Sequence, residues 1–423
     1  MSLPPSMLAQ AIQLIRRGDY PQAIGLLQNT VAAQPSHFES RLQLAKAYLD
    51  WVNIRVQMPL TDIRPDMMSE DVAHFLKLAE SQLIELVRMR PSSPHAQGLL
   101  AVVHLICKRP TEAMACLKKA LAKDPLNQDL LYNLGFSLME LKRFAEAAKQ
   151  FARLTALLPG HGMGWHMLGE ATRQGGDPEA ALVAYRQAIK LLPDLPQPYG
   201  GMALALIMLG RHAEGLAYQK QILVLLPSTD MSASALFNLH YIPGLAATEV
   251  ASWHRAFGER FETPLKSAWQ PHTNATDPER PLRVGFVSGD FRRHSVGYFM
   301  TDLLPGLKAC GLELYAYANQ WENDDLTDRI KPQFAAWREC KSMNDDALAA
   351  QIRADGIDVL VDLSGHTNDD RLLAFARKPA PVQVTYLGYP DTTGLSAIDY
   401  ILGDPRMFPP GEETLYVEKP WCL

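Results

Sequence analysis

Five prolines recur at a fixed interval of 34 residues, and this spacing constrains the fold more than any other feature. They are Pro91, Pro125, Pro159, Pro193 and Pro227. Small residues recur in the same phase, at Ala79, Ala113, Ala147, Ala181 and Gly215. Small side chains let two helices cross closely, and a proline stops helical pairing because it has no N–H. The pattern therefore predicts stacked pairs of helices, each pair ending near a proline.

Thirty-four residues is the period of the tetratricopeptide repeat, a two-helix unit. The spacing predicts six such units within residues 4–229, with a lengthened connection near 52–70 where the second helix of one unit is delayed. Six units exceed the number that a continuous stacked core needs. The first half of the chain is thus predicted to be an α solenoid, a fold that usually offers a binding surface for extended protein segments.

Composition narrows the class of protein. The chain has 423 residues, of which 47% are hydrophobic and 21% charged, as in ordinary globular proteins, and its net charge of −5 argues against general attraction to nucleic acid or membranes. Its five cysteines form no CxxC pair or zinc spacing, which indicates reduced thiols. We see no export signal and no long apolar stretch, so we expect a cytoplasmic location.

The pattern changes after the repeats. We expect capping helices and a linker over residues 230–280, followed by an α/β domain over 281–423. Apolar runs predict strands over 282–288, 313–318, 357–365, 382–388 and 397–404, and helices over 325–339 and 345–354. Alternating strands and helices form open parallel sheets, whose sites lie beyond the carboxyl ends of the strands. The loops SGDFRRHSVG, SGHTND and GYPDTTG fall at those ends and are the candidate site.

These loops carry a resemblance to a known family. RVGFVSGDFRRHSVGYFM, DVLVDLSGHTNDD and KPAPVQVTYLGYPDTTG resemble the N-terminal catalytic lobe of glycosyltransferase family 41. That family comprises the O-GlcNAc transferases, their bacterial homologues and the SPINDLY proteins. Lys378 stands where the family usually has arginine. The resemblance implies a Rossmann-like lobe of a two-lobe fold. It also implies that a C-terminal lobe, absent from this sequence, must be supplied before these residues can transfer sugar.

The resemblance implies an enzyme that transfers a sugar from a nucleotide donor to a protein serine or threonine, with inversion. Such a reaction needs a proton acceptor beside the acceptor hydroxyl. Asp290 and His294, four residues apart, match the D-x-x-x-H of the family and are the candidate catalytic residues. The alternative is structural, with Asp290 capping the following helix and His294 packing. Sequence does not decide which of the two is the base.

Further site residues follow from the same resemblance. Leu387, Gly388 and Pro390 match positions that line the donor sugar and its phosphates, although a tight strand exit would also explain them. His366, in SGHT, is shared with SPINDLY-like and bacterial members, and a hydrogen-bonded structural histidine is the alternative. His240, in LFNLHYIP, is a candidate cleft residue from the connecting helices.

The resemblance also sets expectations for partners. We expect no metal and no cofactor beyond the nucleotide sugar, and protein acceptors in the repeat groove. UDP-GlcNAc is the expected donor and GDP-fucose the alternative within the family. A scaffold that has lost catalysis is the competing hypothesis from another class. The sequence leaves open the donor, the acceptor proteins and the oligomeric state.

Overall fold

A computed structural model describes residues 6–56, 69–225, 228–277 and 279–423. The chain divides into two compact units, Met1–Leu209 and Gly210–Leu423, and each is described by itself. The expected boundary at residue 229 differs from this division, which groups the last predicted repeat helix with the second unit.

The described part of the first unit is helical throughout. Its helices are α1 (Ser6–Arg16), α2 (Tyr20–Ala33), α3 (Phe38–Val56), α4 (Glu70–Met89), α5 (Pro94–Ile106), α6 (Pro110–Leu121), α7 (Gln128–Glu140), α8 (Phe144–Leu157), α9 (Gly162–Gln174), α10 (Pro178–Leu191) and α11 (Pro196–Met208). Pro91, Pro125, Pro159 and Pro193 each follow the second helix of a pair, as predicted. Pro227 lies outside the described residues.

Helix starts follow from local chemistry. The side chains of Ser69, Ser93, Asn127 and Asp177 each accept a hydrogen bond from a backbone N–H in the first turn of the helix that follows. These caps satisfy donors that have no partner inside a helix. The predicted connection near 52–70 falls differently, because α3 continues to Val56 and residues 57–68 lie outside the described part of the chain.

Small residues sit where the helices of a pair approach most closely. A Cβ atom at Gly135 would lie 2.6 Å from the Phe151 ring, and one at Gly169 would lie 2.7 Å from the Tyr185 ring. Phe151 and Tyr185 are fully buried. Gly135 and Gly169, which are 34 residues apart, thus make room for one aromatic ring from the partner helix.

We predict that Phe151→Ala destabilises the repeat unit by about 3–5 kcal/mol, because it leaves a cavity at the α7–α8 contact. Urea unfolding followed by circular dichroism measures this loss. Leu126→Ala is the control, since that side chain is 65% exposed and its removal should change stability by less than about 0.5 kcal/mol. Equal effects of the two substitutions would contradict this account of the core.

The second unit begins with helices and continues as an α/β sheet. The helices are α12 (His212–Leu225), α13 (Thr229–Leu239), α14 (Ala247–Phe261), α15 (Ser295–Ala309), α16 (Asp325–Ile330), α17 (Asp345–Ala354) and α18 (Leu372–Phe375). The strands are β1 (Arg283–Ser288), β2 (Glu313–Ala318), β3 (Ala336–Glu339), β4 (Val359–Asp362), β5 (Val382–Tyr386), β6 (Tyr400–Gly403) and β7 (Lys419–Cys422). Short 3-10 helices cover Thr263–Ala268, Lys331–Gln333 and Glu413–Leu415.

The seven strands that the described residues form are all parallel, in the order β3-β2-β1-β4-β5-β6-β7. Val284 pairs with Leu314 of β2 on one side and with Val359 of β4 on the other. The strand order therefore reverses between β1 and β4. Sheets of this kind bind ligands at such a switch point, beyond the carboxyl ends of the strands. The predicted fold class, an α solenoid followed by a Rossmann-like α/β domain, is confirmed.

One element was predicted wrongly. The helix predicted over 325–339 ends at Ile330, and Ala336–Glu339 form the edge strand β3. Phe334 and Trp337 pack against the ring of Phe291, 5.7 and 5.4 Å away between ring centroids. Pairing with β2 and this aromatic contact override the local helical pattern. Strand β7 was also missing from the predicted elements.

The segment expected to be a linker is bound to the α/β sheet. The Asn274 side chain donates hydrogen bonds to the Ile357 carbonyl at 3.1 Å and to Asp358 at 2.7 Å. Arg280 forms an ion pair with the same Asp358 carboxylate at 2.6 Å. Residues around 274–280 are thereby attached to the loop that enters β4.

Candidate functional site

The loops that follow β1, β4 and β5 lie against one another. A Cβ atom at Gly289, after β1, would lie 2.8 Å from the Asp369 Cβ of the loop after β4. One at Gly388, after β5, would lie 1.9 Å from the Leu363 carbonyl oxygen. Glycine is needed at both positions because any side chain would collide. The three predicted loops therefore meet at the switch point of the sheet.

Asp290 and His294 lie together in the first of these loops. His294 Nδ1 is 3.5 Å from Asp290 Oδ2, and the His294 side chain is 47% exposed. Nδ1 also accepts a hydrogen bond from Val296 N at 3.4 Å, so His294 is the N-cap of α15. Arg292 lies 3.5 Å from the other Asp290 oxygen. His294 is accessible to a substrate, whereas the Asp290 side chain is only 14% exposed. His294, rather than Asp290, caps the helix.

Leu387, Gly388 and Pro390 form the turn that leaves β5. Leu387 has φ +72°, a conformation that L-residues seldom adopt. Gly388 donates its N–H to the Tyr386 carbonyl at 2.9 Å, and Pro390 is exposed. An unfavourable backbone conformation persists only when its surroundings hold it, and such residues cluster at ligand sites.

The turn is held through Tyr389, whose hydroxyl lies 2.9 Å from His240 Nε2 and 2.7 Å from His254 Nε2. His254 is fully buried on α14, and burial lowers its pKa to about 4. Burial also raises the pKa of Tyr389 well above its usual value. His240 lies 3.8 Å from Asp391, whose charge partly offsets the burial that lowers the pKa of this imidazole.

His366 lies in the interior, beneath the same turn. It is 1% exposed, and its Nε2 is 2.8 Å from the Thr393 carbonyl oxygen. A carbonyl only accepts, so Nε2 carries the proton and Nδ1 is a bare acceptor. Nδ1 has no hydrogen-bond partner among the residues that the structure describes. Burial lowers the pKa of His366 well below its usual value, which keeps the ring neutral.

Two buried glutamates hold the rest of the β5–β6 connection. Glu418 accepts hydrogen bonds from the Thr392 hydroxyl at 2.6 Å and from Thr393 N at 2.8 Å. Glu262, at the end of α14, accepts from Ser396 N at 3.1 Å and from Ala397 N at 2.6 Å. Backbone contact completes the fit, since a Cβ at Gly258 would lie 1.9 Å from the Gly394 carbonyl oxygen.

Three of these side chains could hold a metal ion. The ligand atoms of His240, His254 and Asp391 lie within 4.8 Å of one another. Both imidazoles already make hydrogen bonds to Tyr389, and Asp391 accepts from Thr392 N at 2.7 Å. The protein itself therefore accounts for each of these groups. The expectation that no metal takes part stays a prediction.

The first compact unit, which contains the repeats, carries a groove of about 1030 Å³. Its walls come from the first helices of successive repeats, α5, α7, α9 and α11, and include Leu99, Tyr132, Asn133, Met163 and Gln197. Asp124 and Asp129 also line it, with no lysine or arginine among its lining residues. A groove of this size can take an extended peptide segment.

Sequence reasoning missed His254, Tyr389, Glu262 and Glu418. Tyr389 was inside the recognised LGYP string, so its place between Gly388 and Pro390 was a usable signal. His254 sits in a helix whose periodicity reveals a buried face but not its neighbour. Nothing in the local sequence marks the two glutamates, because their partners lie 25 residues or more away.

The fold and these loops define a repeat protein with a parallel α/β domain whose candidate site lies at the carboxyl ends of its strands. Residues 225–421 match the model of glycosyl transferase family 41. Tetratricopeptide repeat models match residues 8–50, 73–127, 105–169 and 164–194. Residues 225–421, somewhat less than half of the chain, are therefore similar to glycosyl transferase family 41, which confirms the resemblance.

Individual relatives agree with this family. The chain is 34% identical over 196 residues to the probable UDP-N-acetylglucosamine–peptide N-acetylglucosaminyltransferase SPINDLY of Arabidopsis thaliana, which covers 45% of this chain and 21% of the relative. The probable SEC transferase of the same plant is 34% identical over 139 residues, 33% of this chain and 14% of the relative. The matched region thus spans about a fifth or less of these relatives.

Among solved structures, a mutant O-GlcNAc transferase of Thermobaculum terrenum is similar, with a TM-score of 0.53 and 30% identity. The match covers 78% of this chain and 57% of that one. None of the helices in the described residues has both the length and the apolar character that crossing a bilayer requires.

We predict that Gly258→Ala lowers the free energy of unfolding of the second unit by about 1–3 kcal/mol or more. The new methyl group must displace the backbone of Gly394. Gly306→Ala is the matched control. Gly306 also lies in a helix, but a Cβ there meets nothing within 4 Å, so the same change should stabilise by about 0.5–1 kcal/mol. Chemical unfolding of both variants tests this opposite sign.

Buried neutral histidine also predicts a pH dependence. The pKa of His254 is about 4 in the folded chain against 6.5 for the free side chain, so the unfolded chain binds more protons between these values. Stability should therefore fall as the pH drops from 6.5 to 4, by up to about 3 kcal/mol from this residue. His254→Gln should weaken that dependence, measured by urea unfolding at several pH values. If His254→Gln leaves the slope of stability against pH unchanged, the prediction is wrong. His74→Gln, at an exposed histidine, is the control.

Proposed function

We propose that this chain provides the acceptor side of a protein O-glycosyltransferase. The reaction would be inverting transfer of GlcNAc from UDP-GlcNAc to serine or threonine hydroxyls, with the repeat groove guiding the acceptor protein. The family match and the names of the relatives support a protein glycosyltransferase. The observation that carries the proposal is the contact between Asp290 and the half-exposed His294, at the switch point of the domain that matches family 41.

The proposed reaction breaks one bond and forms another. The acceptor oxygen attacks the anomeric carbon, the bond from that carbon to the diphosphate oxygen breaks, and the diphosphate leaves with both electrons of that bond. The hydroxyl proton must go to a base as the new C–O bond forms. Asp290, with one oxygen near Arg292 and the other near His294, would take that proton directly or through water.

His294 would then act as a hydrogen-bond donor. Because its Nδ1 accepts from Val296 N, the proton of the neutral ring lies on Nε2. An Nε2–H group can orient an oxygen of the acceptor or of the sugar, but it cannot remove a proton. This tautomer favours Asp290 as the base and His294 as the group that positions the reacting oxygen.

The groove of the repeat unit would supply binding energy for acceptor proteins. Binding far from the reacting atoms raises the effective concentration of the acceptor hydroxyl. Asn133 is one of its walls, and an amide side chain can bond to both the N–H and the C=O of a peptide backbone. Asn133 would therefore bind the main chain of an extended segment that lies in the groove.

We predict that His294→Ala and Asp290→Asn each lower the rate of sugar transfer about 100-fold or more, because each removes a group beside the reacting oxygen. The variants are assayed in the protein purified from its native cells. Acceptor binding in the repeat groove should stay unchanged. Mass spectrometry of a serine- and threonine-rich peptide, incubated with UDP-GlcNAc or GDP-fucose, measures transfer and identifies the sugar. Fluorescence anisotropy of the same peptide measures binding.

His74→Gln on α4 is the control substitution. Full activity of His294→Ala would refute its role, and peptide binding without transfer in the wild-type protein would favour the scaffold. Transfer of deoxyhexose alone would establish the SPINDLY-like alternative, which the several SPINDLY relatives keep open.

A further inference from the structure

The side chain of Tyr389 has a single place in the structure. It is 3% exposed, and a Cβ atom at Gly365 would lie 2.2 Å from the Tyr389 Cβ. Its hydroxyl meets two imidazole nitrogens, at 2.7 Å on His254 and at 2.9 Å on His240. A phenol offers one proton and two lone pairs, so it cannot donate to both rings.

Hydrogen-bond chemistry fixes the direction of each bond. His254 Nδ1 lies 2.8 Å from the Val250 carbonyl oxygen, which can only accept, so Nδ1 carries the proton. The Nε2 of neutral His254 is then a bare acceptor, and Tyr389 must donate to it. The Tyr389 oxygen is left to accept, and His240 must donate through Nε2–H. The chain of bonds runs in one direction, from His240 through Tyr389 to His254.

The turn beside Tyr389 makes few other hydrogen bonds. Outside the β-ladder, a single hydrogen bond between backbone groups involves residues 387–391 in the part of the chain that the structure describes, from Gly388 N to Tyr386 O. Leu387 nevertheless holds φ +72°. Glu418 holds the later residues Thr392 and Thr393, beyond the turn. Leu387 packs against the core of the sheet, and Gly388 lies close to the Leu363 carbonyl. The Tyr389 hydroxyl adds the hydrogen bonds that join the turn to His240 and His254.

We propose that Tyr389 is a positioning residue for the turn formed by Leu387, Gly388 and Pro390, and that the one-way hydrogen-bond chain from His240 to His254 fixes it there. The role of this turn in holding the donor rests on the proposed function, whereas the hydrogen-bond chain does not. His240 thus acts through Tyr389, and its own imidazole need not touch a substrate.

Histidine NMR tests the direction of the chain. In ¹⁵N-labelled protein at neutral pH, His254 should appear as the Nδ1–H tautomer and His240 as the Nε2–H tautomer. Tyr389→Phe should shift the ¹⁵N signal of His254 Nε2, because that nitrogen loses its donor. An Nε2–H tautomer at His254 would overturn the assignment.

Amide hydrogen exchange tests the positioning. Tyr389→Phe removes only the hydroxyl, and we expect exchange at the Gly388 amide to rise about tenfold. The Thr393 amide, which Glu418 holds, should keep its rate and serves as an internal reference. Tyr241→Phe, at a tyrosine that is 55% exposed, is the matched control. Unchanged exchange at Gly388 would overturn the proposal.

The His240 position provides a second test should Tyr389→Phe not fold. His240→Gln keeps an N–H donor for the Tyr389 oxygen and should preserve slow exchange at Gly388, whereas His240→Phe should not. Equal exchange in these two variants would contradict the donor role of His240.

These measurements need no sugar donor, so their failure would leave the proposed function standing. Conversely, absence of sugar transfer by the wild-type protein would refute the proposed function. It would not affect the proposed hydrogen-bond chain from His240 to His254. Where transfer occurs, Tyr389→Phe should raise the KM for the nucleotide sugar several-fold more than it lowers kcat, as a displaced donor-binding turn requires.

Discussion

The connection between β5 and β6 is held by buried side chains that come from outside it. It has little regular structure, so its backbone groups need partners from elsewhere. His254 reaches it from α14, Glu262 from the C-terminal cap of that helix, and Glu418 from the position just before β7. Burying a carboxylate is costly unless hydrogen bonds satisfy it, and each glutamate receives several. The loop and its partners therefore hold one another in place.

The segment between the repeats and the sheet has a different role from the one expected. Residues 230–280 were expected to be capping helices and a linker. Helix α14 instead contributes His254, Gly258 and Glu262 to the candidate site, and Asn274 attaches the following segment to the sheet. A domain boundary drawn just before β1 would remove groups that hold the connection after β5. The α/β domain therefore depends on the helices that precede it.

Sequence predicted the regular parts of the chain well because their signals are local. The 34-residue period located the repeat helices, and alternating apolar runs located β1, β2, β4, β5 and β6. Edge strand β3 was missed because only pairing with β2 and contact with Phe291 make it extended. The candidate residues came from a resemblance to a family. The residues that hold the candidate site in place, such as Glu418 and His254, have partners far away in the sequence. Local sequence patterns therefore do not reveal them.

Burial divides the histidines of the site into two kinds. His294 is half exposed and next to a carboxylate, so it can meet a substrate. His254 and His366 are buried, and desolvation lowers the pKa of both. In each of these neutral rings a carbonyl oxygen beside one nitrogen fixes the tautomer, and a fixed tautomer gives hydrogen bonds of fixed direction. The same residue type can thus contact a substrate at the surface and orient a turn from within.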